Sequence, residues 1–303
     1  MRHNKIIVSV GKPTGFCSGV KRAIALVKQQ AQQAKGSTSV YTLGPIIHNS
    51  EVVNELKQLG VKTISNIKRL KPNTNNKSIV IIRTHGCAPE VIAKIKKLGY
   101  KVIDATCPYV RRVQNYALKF KNDGYTTIVV GDKNHPEVRG IMGFARPLAK
   151  VCDINSKSQT LNLKSINNRI GIIGQTTIPF EYFQKAINSF NVGDYQEIRI
   201  FNTLCKEALN RQKVCKRIAD KVDAMIVIGS HTSANTRHLA DIAKTSDASV
   251  HQVQDKSELR LDWRSNLQRI GVVAGTSTPQ STVFEVVKQI KKISRPRGSY
   301  AHG

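Results

Sequence analysis

The sequence predicts an α/β protein built on parallel sheets, and three observations carry that reading. Short Val/Ile runs alternate with amphipathic stretches along the chain, as expected when each buried strand is followed by a helix that returns over a sheet face. Strand-like segments lead three times into a cysteine followed by a helical pattern, so the chain carries an internal repeat. Each cysteine is followed, in the same order, by two further strands that end in polar turns.

Residues 6–10, 79–82, 101–103, 127–130, 170–173, 198–201, 224–228 and 270–273 read as buried strands, and 20–34, 51–59, 89–98, 110–120, 207–221 and 282–293 as helices. The strand at 6–10 leads to G-F-C-S-G-V around Cys17, that near 102 to D-A-T-C-P around Cys107, and that at 198–201 to N-T-L-C at Cys205. The second strands end in L-G-P-I-I-H-N, V-G-D-K-N-H-P-E and I-G-S-H-T-S-A-N; the third in R-T-H-G, G-Q-T-T-I-P and G-T-S-T-P. The repeats divide the chain into units at 1–100, 101–196 and 197–293, with a polar, basic tail at 294–303. In parallel α/β units the turns after the strands share one sheet edge, where ligands bind. If the three edges face inward, three cysteines and six polar turns meet at one centre.

Composition narrows the class. The 303 residues suffice for real cores, and the start is charged and lacks a signal peptide's apolar stretch. No apolar run reaches the roughly 18 residues of a membrane span, so a cytoplasmic protein without a membrane span is expected. Six cysteines without an export signal and without a C-x-x-C pair argue against a disulfide framework, a zinc ribbon or a thioredoxin-like site. The net charge of +28 points first to nucleic acid. Yet the lysines are spread along the chain, and aromatics, at 6%, do not interleave with them as on a stacking surface. No nucleic-acid partner is expected; the charge also suits docking of an acidic protein.

Three thiolates from three units can bind either zinc or an iron–sulfur cluster. With a cubane cluster, three cysteines leave one iron without a protein ligand, whereas ordinary electron-transfer clusters use four. Cys87, Cys152 and Cys215 lie outside the repeat positions and read as small buried thiols. Thr176, Thr177, Ser233, Asn235 and Ser277 sit where helices begin; singly each reads as a cap, and together they read as an anion site. His48, His85 and His135 occupy matching turns, which suits phosphate binding or proton delivery. Glu137 reads either as a first-turn acid favouring its helix dipole or, in a dry site, as a carboxyl with raised pKa that donates protons near neutrality.

In series, G-F-C-S-G-V-K-R-A-I, G-P-I-I-H-N, R-T-H-G, D-A-T-C-P, H-P-E-V, G-Q-T-T, N-T-L-C with a later R-Q, S-A-N and A-G-T-S-T-P resemble the 4-hydroxy-3-methylbut-2-enyl diphosphate reductase family over about 5–293. The resemblance implies three similar parallel-sheet α/β domains in a trefoil around a central iron–sulfur site: one [4Fe–4S] cluster with Cys17, Cys107 and Cys205 as ligands and one open iron. It implies reductive removal of the 4-hydroxyl of an allylic diphosphate with two electrons and two protons, giving isopentenyl and dimethylallyl diphosphates, the last step of the non-mevalonate isoprenoid route. It further implies that His48, His85, Ser233, Ala234, Asn235 and Ser277 form the diphosphate site. Glu137 would deliver protons in a network with His135 and Thr176 or Thr177, the substrate hydroxyl would occupy the open iron, and a ferredoxin or flavodoxin would supply electrons. The sequence departs from the family at Ala208, where a hydroxyl is usual, and at Ala234, where a second serine is common. Two rivals remain: another three-cysteine trefoil enzyme such as a quinolinate-synthase-like dehydratase, disfavoured by the H-P-E and G-P-I-I-H-N turns, and a basic nucleic-acid-binding protein, whose affinity would fall with salt and ignore cluster loss.

Overall fold

The computed structural model describes residues 6–34, 38–74, 77–156, 168–260 and 267–293; the basic tail at 294–303 lies outside them. The chain forms two compact units, Ser18–Lys206 and, separately, Met1–Cys17 with Glu207–Gly303.

Within Ser18–Lys206 there are two four-stranded, wholly parallel sheets. The first contains β2 (Val40–Leu43), β3 (Lys62–Ile64), β4 (Ile79–Ile82) and β5 (Lys101–Asp104), ordered β3-β2-β4-β5. The second contains β6 (Thr126–Gly131), β7 (Ala149–Asp153), β8 (Arg169–Gly174) and β9 (Glu197–Phe201), ordered β7-β6-β8-β9. Their helices are α1 (Ser18–Gln33), α2 (Ser50–Gln58), α3 (Pro89–Lys97), α4 (Pro108–Asn122), α5 (Pro136–Ala145) and α6 (Phe180–Asn188). Every residue of β4 and β6 is buried, as central strands covered on both faces require. In α4, Val110, Val113, Gln114, Ala117 and Phe120 form the buried stripe, at the three- and four-residue spacing of one helix face. Phe120 packs so closely on β8 that a Cβ at Gly171 would come within 2.4 Å of its ring.

The other unit has one parallel sheet, made of β1 (Ile7–Val10), β10 (Ala224–Ile228), β11 (Ser249–Val253) and β12 (Arg269–Ala274), ordered β1-β12-β10-β11. Its core collects Ile226, Ile228, Val253, Val272, Val283 and Val286; α8 (Ala234–Ala243) and α9 (Gln280–Ile293) follow β10 and β12, and α7 (Lys206–Ala219) precedes β10.

All three sheets thus share one order. Numbering strands as they leave each cysteine helix, they run second, first, third, and then an edge strand that leads into the next cysteine. In the third sheet that edge strand is β1, from the start of the chain. The strand before each cysteine, read from sequence as opening a unit, therefore pairs with a sheet whose other strands belong to the preceding repeat, or to the last one in the case of β1. In such an order the direction in which strands are added reverses between the first and third strands, and there the turns part to leave a ligand crevice. The turns at that point are those after β2 and β4, β6 and β8, and β10 and β12, the polar turns singled out in the sequence.

Buried Arg211, on α7, ties the last unit together. Its Nη1 donates to the carbonyls of Ala274 (2.9 Å) and Gly275 (3.3 Å), and Nη2 to that of Gly15 (2.7 Å). Arg211→Met is expected to cost on the order of 3 kcal/mol, because buried carbonyls lose charge-assisted donors. Urea unfolding measures it, and a loss below about 0.5 kcal/mol, typical of a surface change, would contradict that role.

Candidate active site

Each repeat positions its cysteine identically. The Cys107 N–H donates to the Thr84 carbonyl at 2.9 Å, Cys205 to Thr176 at 2.8 Å, and Cys17 to Thr276 at 3.0 Å. An edge-strand cysteine turn is thereby sewn to the neighbouring Thr turn in all three sheets. Each cysteine also directly precedes a helix, where backbone N–H groups favour a negatively charged sulfur. No disulfide joins the six cysteines; these three are half-buried, whereas Cys152 and Cys215 are buried. A Cβ at Gly19 would lie 2.6 Å from the Cys107 sulfur, so G-F-C-S-G-V supplies a backbone cradle against that thiol. Arg22 on α1 donates to the Thr106 carbonyl at 3.1 Å, and the Thr106 N–H is held by Asp104 at 2.9 Å. Half-buried thiols set at helix starts fit a thiolate-held metal or iron–sulfur group. Cys215, by contrast, donates to the Leu239 carbonyl, and burial pushes its thiol up to about 12. Cys87 departs from the buried-thiol expectation: it is half-buried and lines a cavity, though burial still holds its thiol near 11.

Within Ser18–Lys206 the three histidines come together. The His85 ring centroid lies 5.1 Å from those of both His48 and His135, and one ring nitrogen of each lies within 4.8 Å of the others. Burial, then the charges of His135, Arg83 and His48, hold His85 well below the usual histidine pKa, so it is neutral at pH 7. Its Nδ1 is buried with no hydrogen-bond partner among the described residues. His135 caps α5, its Nδ1 accepting the Glu137 N–H at 3.2 Å; neutral His135 therefore carries its proton on Nε2 and can donate there. The donor set suits a phosphate oxygen, and three imidazoles this close are also capable of holding a divalent metal.

Glu137, two residues on, is 1% exposed. Thr176 grips both its oxygens, the backbone N–H donating to Oε1 at 2.6 Å and the hydroxyl to Oε2 at 2.9 Å. Burial nevertheless wins over these two bonds and raises the carboxyl to about 7. Of the paired threonines, Thr176 is therefore the one on the carboxyl, while the Thr177 hydroxyl accepts from Gln175 at 3.3 Å.

In the other unit, Ser233 caps α8 by accepting the Thr236 N–H at 3.4 Å. Asn235 is buried, and among the described residues neither of its amide atoms, nor the hydroxyl of Ser277, has a hydrogen-bond partner. Unsatisfied buried polar groups are costly, so these atoms, on turns flanking one crevice, point to a ligand. Gly229 (φ +146°) and Gly275 keep that crevice narrow; a Cβ on either would come within 2.7 Å of the Thr236 hydroxyl. Ala234 and Ala208, where the family pattern carries hydroxyls, are both buried. Sequence reading missed Arg211 and Gln114. Arg211 was legible only as part of the R-Q dipeptide, and Gln114 is a fully buried amide whose Nε2 would lie 2.3 Å from a Cβ at Gly86.

A buried carboxyl raised to about 7 and clustered imidazoles on the sheet edges of a parallel α/β protein are groups suited to an enzyme that handles an anion and protons. Comparison with known proteins narrows this. The family model described as LytB protein matches residues 8–291. The chain is similar to the 4-hydroxy-3-methylbut-2-enyl diphosphate reductase of Dehalococcoides mccartyi (strain CBDB1), at 38% identity over 92% of this chain and 96% of the relative. It is likewise similar to that of Aquifex aeolicus (strain VF5), at 36% identity over 94% and 96%. A solved structure of (E)-4-hydroxy-3-methyl-but-2-enyl diphosphate reductase, the terminal enzyme of the non-mevalonate pathway, aligns with TM-score 0.66 and 36% identity over 95% of this chain and all of the other. The E-1-hydroxy-2-methyl-but-2-enyl-4-diphosphate reductase of Plasmodium falciparum aligns with TM-score 0.84 and 25% identity over 94% and 87%. The chain belongs to the LytB family.

Proposed function

We propose that this protein reduces (E)-4-hydroxy-3-methylbut-2-enyl diphosphate to isopentenyl and dimethylallyl diphosphates, the terminal step of the non-mevalonate pathway, as its relatives' names describe. The observation that carries the reading is the cysteine turn repeated in all three sheets, each N–H held by the neighbouring Thr carbonyl. Cys17, Cys107 and Cys205 are proposed to hold one [4Fe–4S] cluster, which when bound supplies electrons and a Lewis-acidic iron.

The chain's own residues then have separable tasks. Neutral His85, with His48, donates N–H groups to the diphosphate, joined by Ser233, Asn235 and Ser277, whose buried atoms want such a partner. Ala234 contributes only its backbone. The C4–O bond breaks as two electrons and two protons are taken up, and the hydroxyl leaves as water. Glu137, protonated near neutral pH and held by Thr176, donates a proton, and His135 on the same helix start shares that network. Exclusion of water around Glu137, 1% exposed, is what keeps the proton available.

A cytoplasmic location is part of this proposal; among the described residues no helix is long and apolar enough to cross a membrane. Electrons are proposed to come from an acidic ferredoxin or flavodoxin attracted by the +28 charge. The reduction rate is then expected to fall at least tenfold between about 0.05 and 0.5 M salt, as screening shortens the reach of surface charge; a flat stopped-flow response would discard the steering. The reading as a whole is tested by anaerobic purification: a brown protein whose turnover vanishes in air agrees with it, and a colourless protein that binds nucleic acid with steep salt dependence contradicts it.

A further inference from the structure

We propose that a second anion site lies between the His85 turn and α5, a cavity gripped by Arg83 and Arg139 and suited to a phosphate-bearing small molecule. The cavity, about 530 Å³, lies wholly within Ser18–Lys206, and its size falls in the roughly 300–1,000 Å³ range of small-molecule sites.

The electrostatics are unfinished without a ligand. Half-buried Arg83 makes no hydrogen bond or ion pair among the described residues. Its guanidinium is pressed onto the backbone of Gly44, where φ is +76° and a Cβ would lie 2.7 Å from Nη1. Arg139, exposed on α5, lines the same cavity and also lacks a partner among the described residues. Burial first, and the like charge of Arg139 second, lower the Arg83 pKa, so the two cations feel each other.

The nearby acids do not relieve this. Asp104 is committed to Arg111, and Glu90, which bears on the Cys87 thiol, forms no ion pair with either arginine. A half-buried guanidinium facing a second cation with no counter-charge is unfavourable, and two planar forks match phosphoryl oxygens bidentately. Leu43, Pro45, Ile67 and Val91 form an apolar wall, so the occupant carries a short apolar portion beside its phosphate.

Position gives the site a consequence. Arg83 stands two residues before His85, and Arg139 two residues after Glu137. An occupant holding both arginines grips the two segments that carry a histidine and the carboxyl, and binding is expected to change turnover without competing for the substrate turns.

The test is an equilibrium titration of the anaerobically prepared full chain with inorganic pyrophosphate and, separately, isopentenyl diphosphate. Arg139→Gln, an exposed change, and Arg83→Gln should each bind one fewer pyrophosphate per chain than the wild type, or bind that equivalent at least tenfold more weakly. Tighter binding of isopentenyl diphosphate at the arginine-dependent site marks the enzyme's own type of product as the occupant; equal binding marks free phosphates, and either order supports the site. An unchanged pyrophosphate count and affinity in both variants overturns it. The inference stands apart from the reductase reading: absent turnover with the arginine-dependent equivalent retained would sink that reading and leave this one in place.

Discussion

Glu137→Gln is expected to lower turnover by roughly 10²–10⁴-fold, the usual worth of a positioned general acid, while iron content and substrate binding stay at wild-type levels. The amide keeps the shape and still accepts the Thr176 N–H, but it carries no acidic proton. The wild-type pH profile should reflect the same group. With the carboxyl at about 7, the protonated fraction falls above that value, so the rate should drop about tenfold per pH unit where proton transfer limits it; the variant should lose this limb. Stability follows with a definite sign. The ordinary value is 4.5 and the folded value about 7, so between them the folded chain holds a proton that the unfolded chain has lost. That contribution is fully present below about 4.5 and is lost as pH rises through 7, an effect on the order of 3 kcal/mol. Urea midpoints taken at pH 5 and 8 should differ less in Glu137→Gln than in the wild type. A variant with normal turnover and an unchanged pH slope would remove Glu137 from the mechanism.

Cys107→Ser is expected to abolish cluster binding and activity together. The residue sits at the start of α4, with its N–H on Thr84 and its sulfur against Gly19, and serine keeps that geometry while replacing a soft thiolate with a hard, weakly acidic hydroxyl. Cys215→Ser is the control. Its sulfur is fully buried and donates to the Leu239 carbonyl, so iron content should be unaffected there. Iron and sulfide analysis after anaerobic reconstitution separates the two, and a Cys107→Ser protein with the full iron content of the wild type would refute the ligand assignment.

Much of this was legible in the sequence because function and backbone geometry ask for the same residues at the same turns. The cysteine turns and the H-P-E and Q-T-T turns were readable as patterns, and the structure gives Thr176 and Glu137 a specific bond. Central strands such as β4 and β10 were clear because burial on both faces leaves only apolar residues. The edge strands β3, β7 and β11 were not clear. Their segments K-T-I, A-K-V-C-D and S-V-H-Q-V mix polar with apolar residues, since one strand side meets water. Nor does local sequence say that β1 completes a sheet with β12, a pairing fixed by register across most of the chain. Short helices such as α5, with two glycines, and α8 carry too little periodic signal, yet they present His135, Glu137 and Asn235. Arg211 and the Arg83–Arg139 cavity depend on contacts between distant segments, which no single stretch records.

The measurement that tests the central claim most directly is product analysis. The anaerobically reconstituted protein is given a low-potential electron donor and (E)-4-hydroxy-3-methylbut-2-enyl diphosphate. Loss of the hydroxyl as water, with isopentenyl and dimethylallyl diphosphates accumulating and two electrons and two protons consumed per molecule formed, is the expected result. Unconsumed substrate in the presence of an intact, reduced cluster would contradict it.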